Sequence, residues 1–179
     1  MSDKELISLH NKGRYEQVFN ELVKNYSQRL YWHLRYYTAS HEDADDLLQE
    51  VFIKVWQTLP NFRGGSSFYT WLYRITTNEA ISWLRKQKVR AAIQFDKLDH
   101  VLSAKVESDP YFNGNEVERE LQKAIATLSG VQKQVFLLRY YEEMPYEEIS
   151  AILGSSVGSL KVSYHNAYNK IKEILQKKF

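Results

Sequence analysis

Cysteine is absent from the 179-residue chain, which excludes disulfide bonds and thiolate metal sites and favours a reducing, cytoplasmic location. Proline and glycine are scarce, with three and seven residues, so few positions interrupt regular secondary structure. Long hydrophobic runs are also missing, because the longest stretch without a charged side chain covers only residues 149–160. A membrane span needs roughly 18 apolar residues, so we expect none, and we expect no export signal at the N-terminus.

What remains is a chain rich in apolar and aromatic residues, at 44% and 14% of the sequence, which is enough to bury a core. Apolar residues recur at helical spacing along most of it, and no convincing alternating strand pattern is present. The exception is the acidic segment 96–115, which contains Pro110 and Gly114 and keeps no sustained helical stripe. We therefore predict an all-α protein in which two small helical domains, residues 1–95 and 116–179, are joined by a flexible linker at 96–115. The alternative is that this segment is an ordered loop packed on one larger domain.

Two helices predicted at 145–153 and 156–176 flank the sequence LGSS near the C-terminus. Gly154 suits a left-handed helix cap and Ser156 suits the N-cap of the second helix, which gives a helix-turn-helix pattern. The polar face of the second helix carries small and hydrogen-bonding side chains that suit contact with base edges or phosphates of duplex DNA, although an ordinary solvated face is the alternative. The residues that we assign to duplex DNA are Ser156, Ser159, Lys161, Val162, His165 and Asn166.

An acidic helix is predicted after Ser40, an N-cap candidate, because five of the next ten residues are acidic. His41 and Asp45 have the spacing of metal ligands on a helix, but no second histidine stands nearby and we expect no metal site. Acids near a helix N-terminus stabilise the helix, but Gln49 and Glu50 lie too far along it for that role. This favours a protein-binding face, formed by Asp45, Asp46, Gln49, Glu50 and Phe52.

The stretch from Phe68 to Arg90 is unusually aromatic and basic for a helix, with five bases and one acid from Arg74 onward. At helical spacing its core side carries Phe68, Leu72, Ile75 and Trp83, and its opposite side carries Trp71, Arg74, Asn78 and Arg85. Aromatic rings beside arginines are typical of single-stranded nucleic-acid binding, but a protein interface fits the same residues. The preceding loop adds the ring of Phe62 and two glycines. The predicted nucleic-acid face comprises Phe62, Arg63, Ser66, Phe68, Trp71, Arg74, Asn78 and Arg85.

Four sequence blocks, in this order, resemble the bacterial extracytoplasmic-function (ECF) sigma factors, the compact two-domain class of RNA polymerase specificity subunits. The blocks are DADDLLQEVFIKVW, FRGGSSFYTWLYRITTN, SWLRKQKVR and YEEISAILGSSVGSLK. The resemblance covers roughly residues 10–90 and 116–176 and leaves the predicted linker unmatched.

The resemblance implies a role for each face. The acidic face would dock on the clamp coiled coil of the largest polymerase subunit. The stretch around Phe68 would bind the minus-ten promoter element as single-stranded non-template DNA, with Phe62 beside a flipped base. The C-terminal helices would read the minus-thirty-five element as duplex and contact the polymerase flap. The implied partners are core RNA polymerase, promoter DNA and an anti-sigma factor, and the resemblance implies no cofactor and no catalytic reaction of the chain's own.

The recognition helix departs from the family pattern, which usually places arginines near Ser163, Asn166 and Tyr168. Only Lys161 keeps a positive charge there, so weaker attraction to phosphates is expected. Two other functions stay open from the residues. A helix-turn-helix regulator that binds duplex DNA without polymerase would leave the acidic and aromatic faces unexplained. A purely protein-binding helical module would explain the acidic face but not the two faces suited to DNA.

Overall fold

A computed structural model of the protein describes residues 1–94, 97–112 and 114–179. Positions 95, 96 and 113, which belong to the predicted end of the first domain and to the predicted linker, lie outside the described residues. Every regular element within the described ranges is helical, as predicted, and no helix there combines the length and apolarity needed to cross a membrane. The helices are α1 (Asp3–Asn11), α2 (Tyr15–Thr38), α3 (His41–Thr58), α4 (Phe68–Ile93), α5 (Leu98–Ser108), α6 (Glu116–Ala126), α7 (Gly130–Phe136), α8 (Tyr146–Leu153) and α9 (Val157–Lys178), with a 3₁₀ turn (Leu59–Asn61) after α3 and a π-helical turn (Leu137–Tyr141) after α7.

Helices α1 to α4 form the N-terminal half, in which α2 packs against α3 and both pack against α4. Their apolar stripes meet in a core that includes Leu22 and Leu72, both of which are fully buried. Helix α3 begins where predicted, because the Ser40 hydroxyl accepts a hydrogen bond from the Asp43 amide at 3.3 Å. Helix α4 begins in the same way, with Ser67 as its cap, and this sets the point at which the loop before it ends.

Helices α6 to α9 form the C-terminal half around the buried side chains of Ile125, Phe136 and Leu160. Gly154 closes α8 in the left-handed region, with a φ of 70°, where a side chain would be strained. The Ser156 hydroxyl then accepts from the Ser159 amide at 3.2 Å and starts α9. The predicted helix-turn-helix is therefore confirmed, together with both of its capping residues.

The segment between the halves differs from its prediction, because it contains the helix α5. Leu102 and Val106 of α5 are 1% and 2% exposed and pack beside Ala126 of the C-terminal half. Just after α5, Asp109 forms an ion pair with Arg35 of α2, and both side chains are buried. The expectation of a flexible, helix-free linker is therefore wrong for positions 98–109. A short apolar stripe among acidic residues is weak evidence for a helix when the sequence is read alone. Helix α5 is stabilised by packing against residues that are distant in the sequence.

The two halves also touch directly, through α2 and α4 on one side and α8 with the turn before it on the other. Arg29 donates to the Glu142 carboxylate at 2.9 Å, and the Thr70 hydroxyl donates to Glu148 at 3.3 Å. The Tyr69 hydroxyl donates to the Glu142 carboxylate at 3.5 Å. Burial of Tyr69, together with the negative charge of Glu142, raises the pKa of Tyr69 to about 12. Tyr69 thus stays a neutral donor in this contact at physiological pH.

Candidate nucleic-acid and protein interfaces

The loop between α3 and α4 presents one supported aromatic ring beside an exposed polar tip. The ring of Phe62 is half-buried, stacks on Phe68 at a centroid distance of 4.3 Å and meets the edge of Trp71 at 5.2 Å. Arg63 and both following glycines are exposed, and Gly64 has a φ of 70° that favours glycine. Ser66, also assigned to this face, is half-buried. The loop therefore presents the ring of Phe62, which packs on two other aromatic rings, next to the exposed guanidinium of Arg63.

Phe68 does not belong to that exposed face, which corrects its assignment to DNA. Its side chain is 0% exposed and lies beneath Phe62. A fully buried ring has no free surface for a base, so Phe68 serves as the support on which Phe62 stacks. Its helical spacing already placed it on the core side, and the structure agrees with that part of the sequence analysis.

Along α4, the predicted face continues beyond the loop but is only partly open. Trp71 and Arg74 are half-buried, whereas Asn78 and Arg85 are exposed. The Arg74 Nε atom is buried and has no hydrogen-bond partner among the described residues. The opposite side of α4 holds Tyr73, which is buried towards the C-terminal half. The helix therefore buries more of its circumference than a simple two-sided pattern predicts, and its free polar groups lie at Asn78 and beyond.

The acidic face of α3 is open, as its protein-binding assignment requires. Asp45, Asp46, Gln49 and Glu50 are all exposed, whereas Phe52 is half-buried and packs edge-on against Phe19. Sequence reasoning missed the next turn of the same helix. Ile53 and Trp56 are 58% and 47% exposed there, beside the acids. An acidic patch that continues into exposed apolar side chains is typical of a protein interface. Within the described part of the chain, no group of acids and histidines is suited to a metal ion.

The polar face of α9 is also exposed at all six predicted positions. The clearest case is Val162, which is 61% exposed although it is apolar. The Lys161 ammonium lies 5.7 Å from the centroid of the Tyr146 ring of α8, and His165 and Asn169 are joined by a hydrogen bond of 3.0 Å. The Ser156 hydroxyl already accepts a hydrogen bond as the cap of α9. A DNA contact by Ser156 would therefore use the same hydroxyl for a second purpose. The face has the small, hydrogen-bonding character that suits a major groove.

Family models match both halves of the chain. Sigma-70 region 2 matches residues 22–90, and Sigma-70, region 4 matches residues 118–171. The ECF RNA polymerase sigma-E factor of Escherichia coli K12 is 31% identical over 184 residues, which cover 98% of this chain and 95% of that protein. The RNA polymerase sigma factor YlaC of Bacillus subtilis is 28% identical over 165 residues, which cover 92% of this chain and 95% of that one.

Two solved structures share the fold. The sigma factor RpoE of Bartonella quintana, in complex with the anti-sigma factor NepR, superposes with a TM-score of 0.72 at 24% identity, over 88% of this chain and 96% of that one. CnrH, in complex with the cytosolic domain of CnrY, superposes with a TM-score of 0.70 at 21% identity, over 99% of both chains.

Proposed function

The chain belongs to the ECF RNA polymerase sigma factors, which bind core RNA polymerase and direct it to promoters, and from this membership we propose how its exposed faces divide the work. We assign residues 1–95 to core polymerase and the minus-ten element, and residues 116–179 to the minus-thirty-five element, with α5 packed between them. The chain supplies recognition and strand opening, and the polymerase makes the bonds. A protein with this role acts in the bacterial cytoplasm.

The minus-ten element is bound by the loop before α4 and the polar groups that follow it. The observation that carries this proposal is the half-exposed Phe62 ring, which rests on Phe68 and Trp71 beside the exposed Arg63. A ring that is already fixed loses little freedom when a base stacks on it, and a neighbouring guanidinium suits a phosphate. Asn78 lies further along α4 with a free amide for a base edge, which favours base discrimination over total affinity.

The other two faces bind duplex DNA and protein. The exposed face of α9 reads the minus-thirty-five element, with Lys161 as its cation and with Ser159, Val162, His165 and Asn166 towards the bases. The acids of α3, from Asp45 to Glu50, dock on core polymerase with the exposed Trp56 beside them. Lys161 is the only one of the six assigned positions with a positive charge, so we expect this face to attract phosphates weakly.

An anti-sigma factor is proposed as a regulatory partner. Support comes from the two solved structures of the same fold, one in complex with the anti-sigma factor NepR and the other in complex with CnrY. The open acidic and apolar face of α3 provides a surface on which such a partner would compete with core polymerase. Competition between the purified partner and core polymerase for the full chain would test this assignment.

The decisive experiment uses Phe62→Ala in reconstituted holoenzyme. A fluorescent base analogue in the minus-ten region reports strand opening on a matched duplex and on a pre-melted template. Loss of a stacking surface worth roughly 1–3 kcal/mol corresponds to opening that is about 5- to 150-fold less favourable on the matched duplex. The pre-melted template should reduce the defect, and duplex binding through α9 should persist.

Phe179→Ala is the matched control, because this phenylalanine is 64% exposed at the end of α9 and should not affect opening. Holoenzyme formation by each variant is measured in parallel to exclude misfolding. If Phe62→Ala opens the matched duplex as well as the wild type does, the single-strand assignment of this loop is wrong.

A further inference from the structure

One N-terminal helix holds both ends of the loop that carries Phe62. The Asp3 carboxylate accepts a hydrogen bond from the Phe68 amide at 3.1 Å, at the first residue of α4. At the other end of α1, the His10 Nε2 atom lies 2.7 Å from the carbonyl oxygen of Leu59, where the 3₁₀ turn begins. The two contacts bridge 65 and 49 residues of sequence. Asp3 and His10 are separated by two helical turns and therefore face the same way.

The His10 contact reaches the aromatic ring as well as the backbone. His10 is 8% exposed, and its ring lies edge-on to Phe62 at 5.6 Å and to Phe68 at 6.2 Å. The Leu59 carbonyl that faces His10 also accepts from the Phe62 amide at 3.1 Å. A shift of the histidine would therefore move the backbone turn and the ring together.

The tip of the loop has no comparable support of its own. Gly64 and Gly65 have open space where a side chain would lie, because no heavy atom of the described residues, apart from those of each glycine and its chain neighbours, comes within 4 Å of that position. Glycine also leaves the backbone more conformations than any other residue. The orientation of the loop is therefore decided at its two ends, where Asp3 and His10 act. The Asp3 carboxylate additionally satisfies one of the free amides at the start of α4, beside the Ser67 cap.

We propose that Asp3 and His10 are positioning residues that hold the loop between Leu59 and Phe68 in the conformation in which Phe62 receives a base of the non-template strand. This inference rests on the proposed function of the loop. Both residues lie outside the segment 22–90 that the region 2 family model matches, so the family match assigns them no role. The contribution is made through the loop, because the Asp3 carboxylate accepts from the Phe68 amide and the buried His10 contacts the Leu59 carbonyl.

The test compares pairs of variants that remove or keep each hydrogen bond in the full-length protein, assembled with core polymerase. Asp3→Ala removes the acceptor, whereas Asp3→Asn keeps an oxygen for the Phe68 amide. His10→Leu removes the donor, whereas His10→Gln keeps an amide nitrogen near the position of Nε2. We expect Asp3→Ala and His10→Leu to open a matched promoter about tenfold less well, as the loss of one such bond implies, and Asp3→Asn and His10→Gln to restore opening.

Two further readouts separate positioning from a general loss of stability. Amide hydrogen exchange of the free protein should accelerate at Phe62 and Phe68 in Asp3→Ala and His10→Leu, while the amide of Leu72 in the core stays protected. On a pre-melted template, the defect of these two variants should shrink. Lys4→Ala, an exposed change on the same helix, is the control and should behave as the wild type does.

The outcomes distinguish this inference from the function on which it rests. If Phe62→Ala is defective but Asp3→Ala and His10→Leu open the matched promoter within twofold of the wild type, the loop function stands and the positioning role is wrong. If Asp3→Asn and His10→Gln open the matched promoter as poorly as Asp3→Ala and His10→Leu do, the two hydrogen bonds are not the cause of the defect. The inference then fails. If Phe62→Ala itself opens normally, the proposed function of the loop fails first, and the positioning role fails with it.

Discussion

The buried ion pair between Arg35 and Asp109 provides a direct test of whether the segment after α4 is packed. The two side chains are 2% and 3% exposed, and Arg35 has no other charged partner among the described residues. Its Nε and Nη1 atoms find no hydrogen-bond partner there either. Asp109→Asn keeps the shape of the side chain and the oxygen that accepts from the Tyr111 amide at 3.0 Å, but it removes the charge. Removing one partner of a buried pair costs about 3–5 kcal/mol, so we expect a loss of that size in the free energy of unfolding.

Urea unfolding followed by circular dichroism measures this loss, with Glu107→Gln as the matched control. Glu107 lies in α5, two residues before Asp109, and pairs with Lys123, but its side chain is 62% exposed. Exposed ion pairs contribute little to stability, so the control should be nearly neutral. Combining Asp109→Asn with Arg35→Met should recover most of the loss, because no buried charge is then left without its partner.

A flexible linker would give a different result. Asp109→Asn would then change the free energy of unfolding by less than about 1 kcal/mol, as exposed substitutions do. The amides of α5 would also exchange as fast as those of an unfolded segment. Together these two results would refute the packed arrangement of α5 and return the segment to the linker that the sequence predicts.

Three other predictions concern the remaining features. Charge reversal of Asp46 and Glu50 to lysine is expected to weaken binding to core polymerase with unchanged helical content, and unaltered affinity would contradict the assignment of this face. Lys161→Ala is expected to reduce the log–log salt slope of duplex binding by about 0.9, the share of one phosphate contact, and an unchanged slope would remove Lys161 from the DNA interface. Burial lowers the pKa of His33 from 6.5 to about 3, so the unfolded chain binds more protons than the folded one below pH 6.5, and stability falls on acidification. The loss should reach about 2 kcal/mol at pH 5 and be absent from His33→Phe, as urea unfolding at pH 7 and pH 5 would show.

Local features of the chain could be predicted because neighbouring residues determine them. The start of α3 at Ser40 and the turn at Gly154 and Ser156 depend on a capping hydroxyl or a left-handed glycine, and both are visible in a few letters of sequence. Helical spacing likewise placed Phe68 and Leu72 in the core, where the structure has them. The assignment of Phe68 to DNA was wrong because it treated the residue as part of the loop instead of following its helical face.

The sequence by itself therefore determined the helices with a clear apolar spacing, the caps at Ser40, Gly154 and Ser156, the helix-turn-helix and the family, since each rests on spacing or on a motif within one segment. The tertiary structure alone decided which surfaces stay open and which side chains support them. Lys105 of α5 pairs with Asp43, and Asp109 pairs with Arg35, each more than 60 residues away in the sequence. The loop that carries Phe62 is contacted by Asp3 and His10, which are 65 and 49 residues from their partners. Contacts of this kind leave no periodic signal, because the partners belong to different helices and their pairing is decided only when those helices pack.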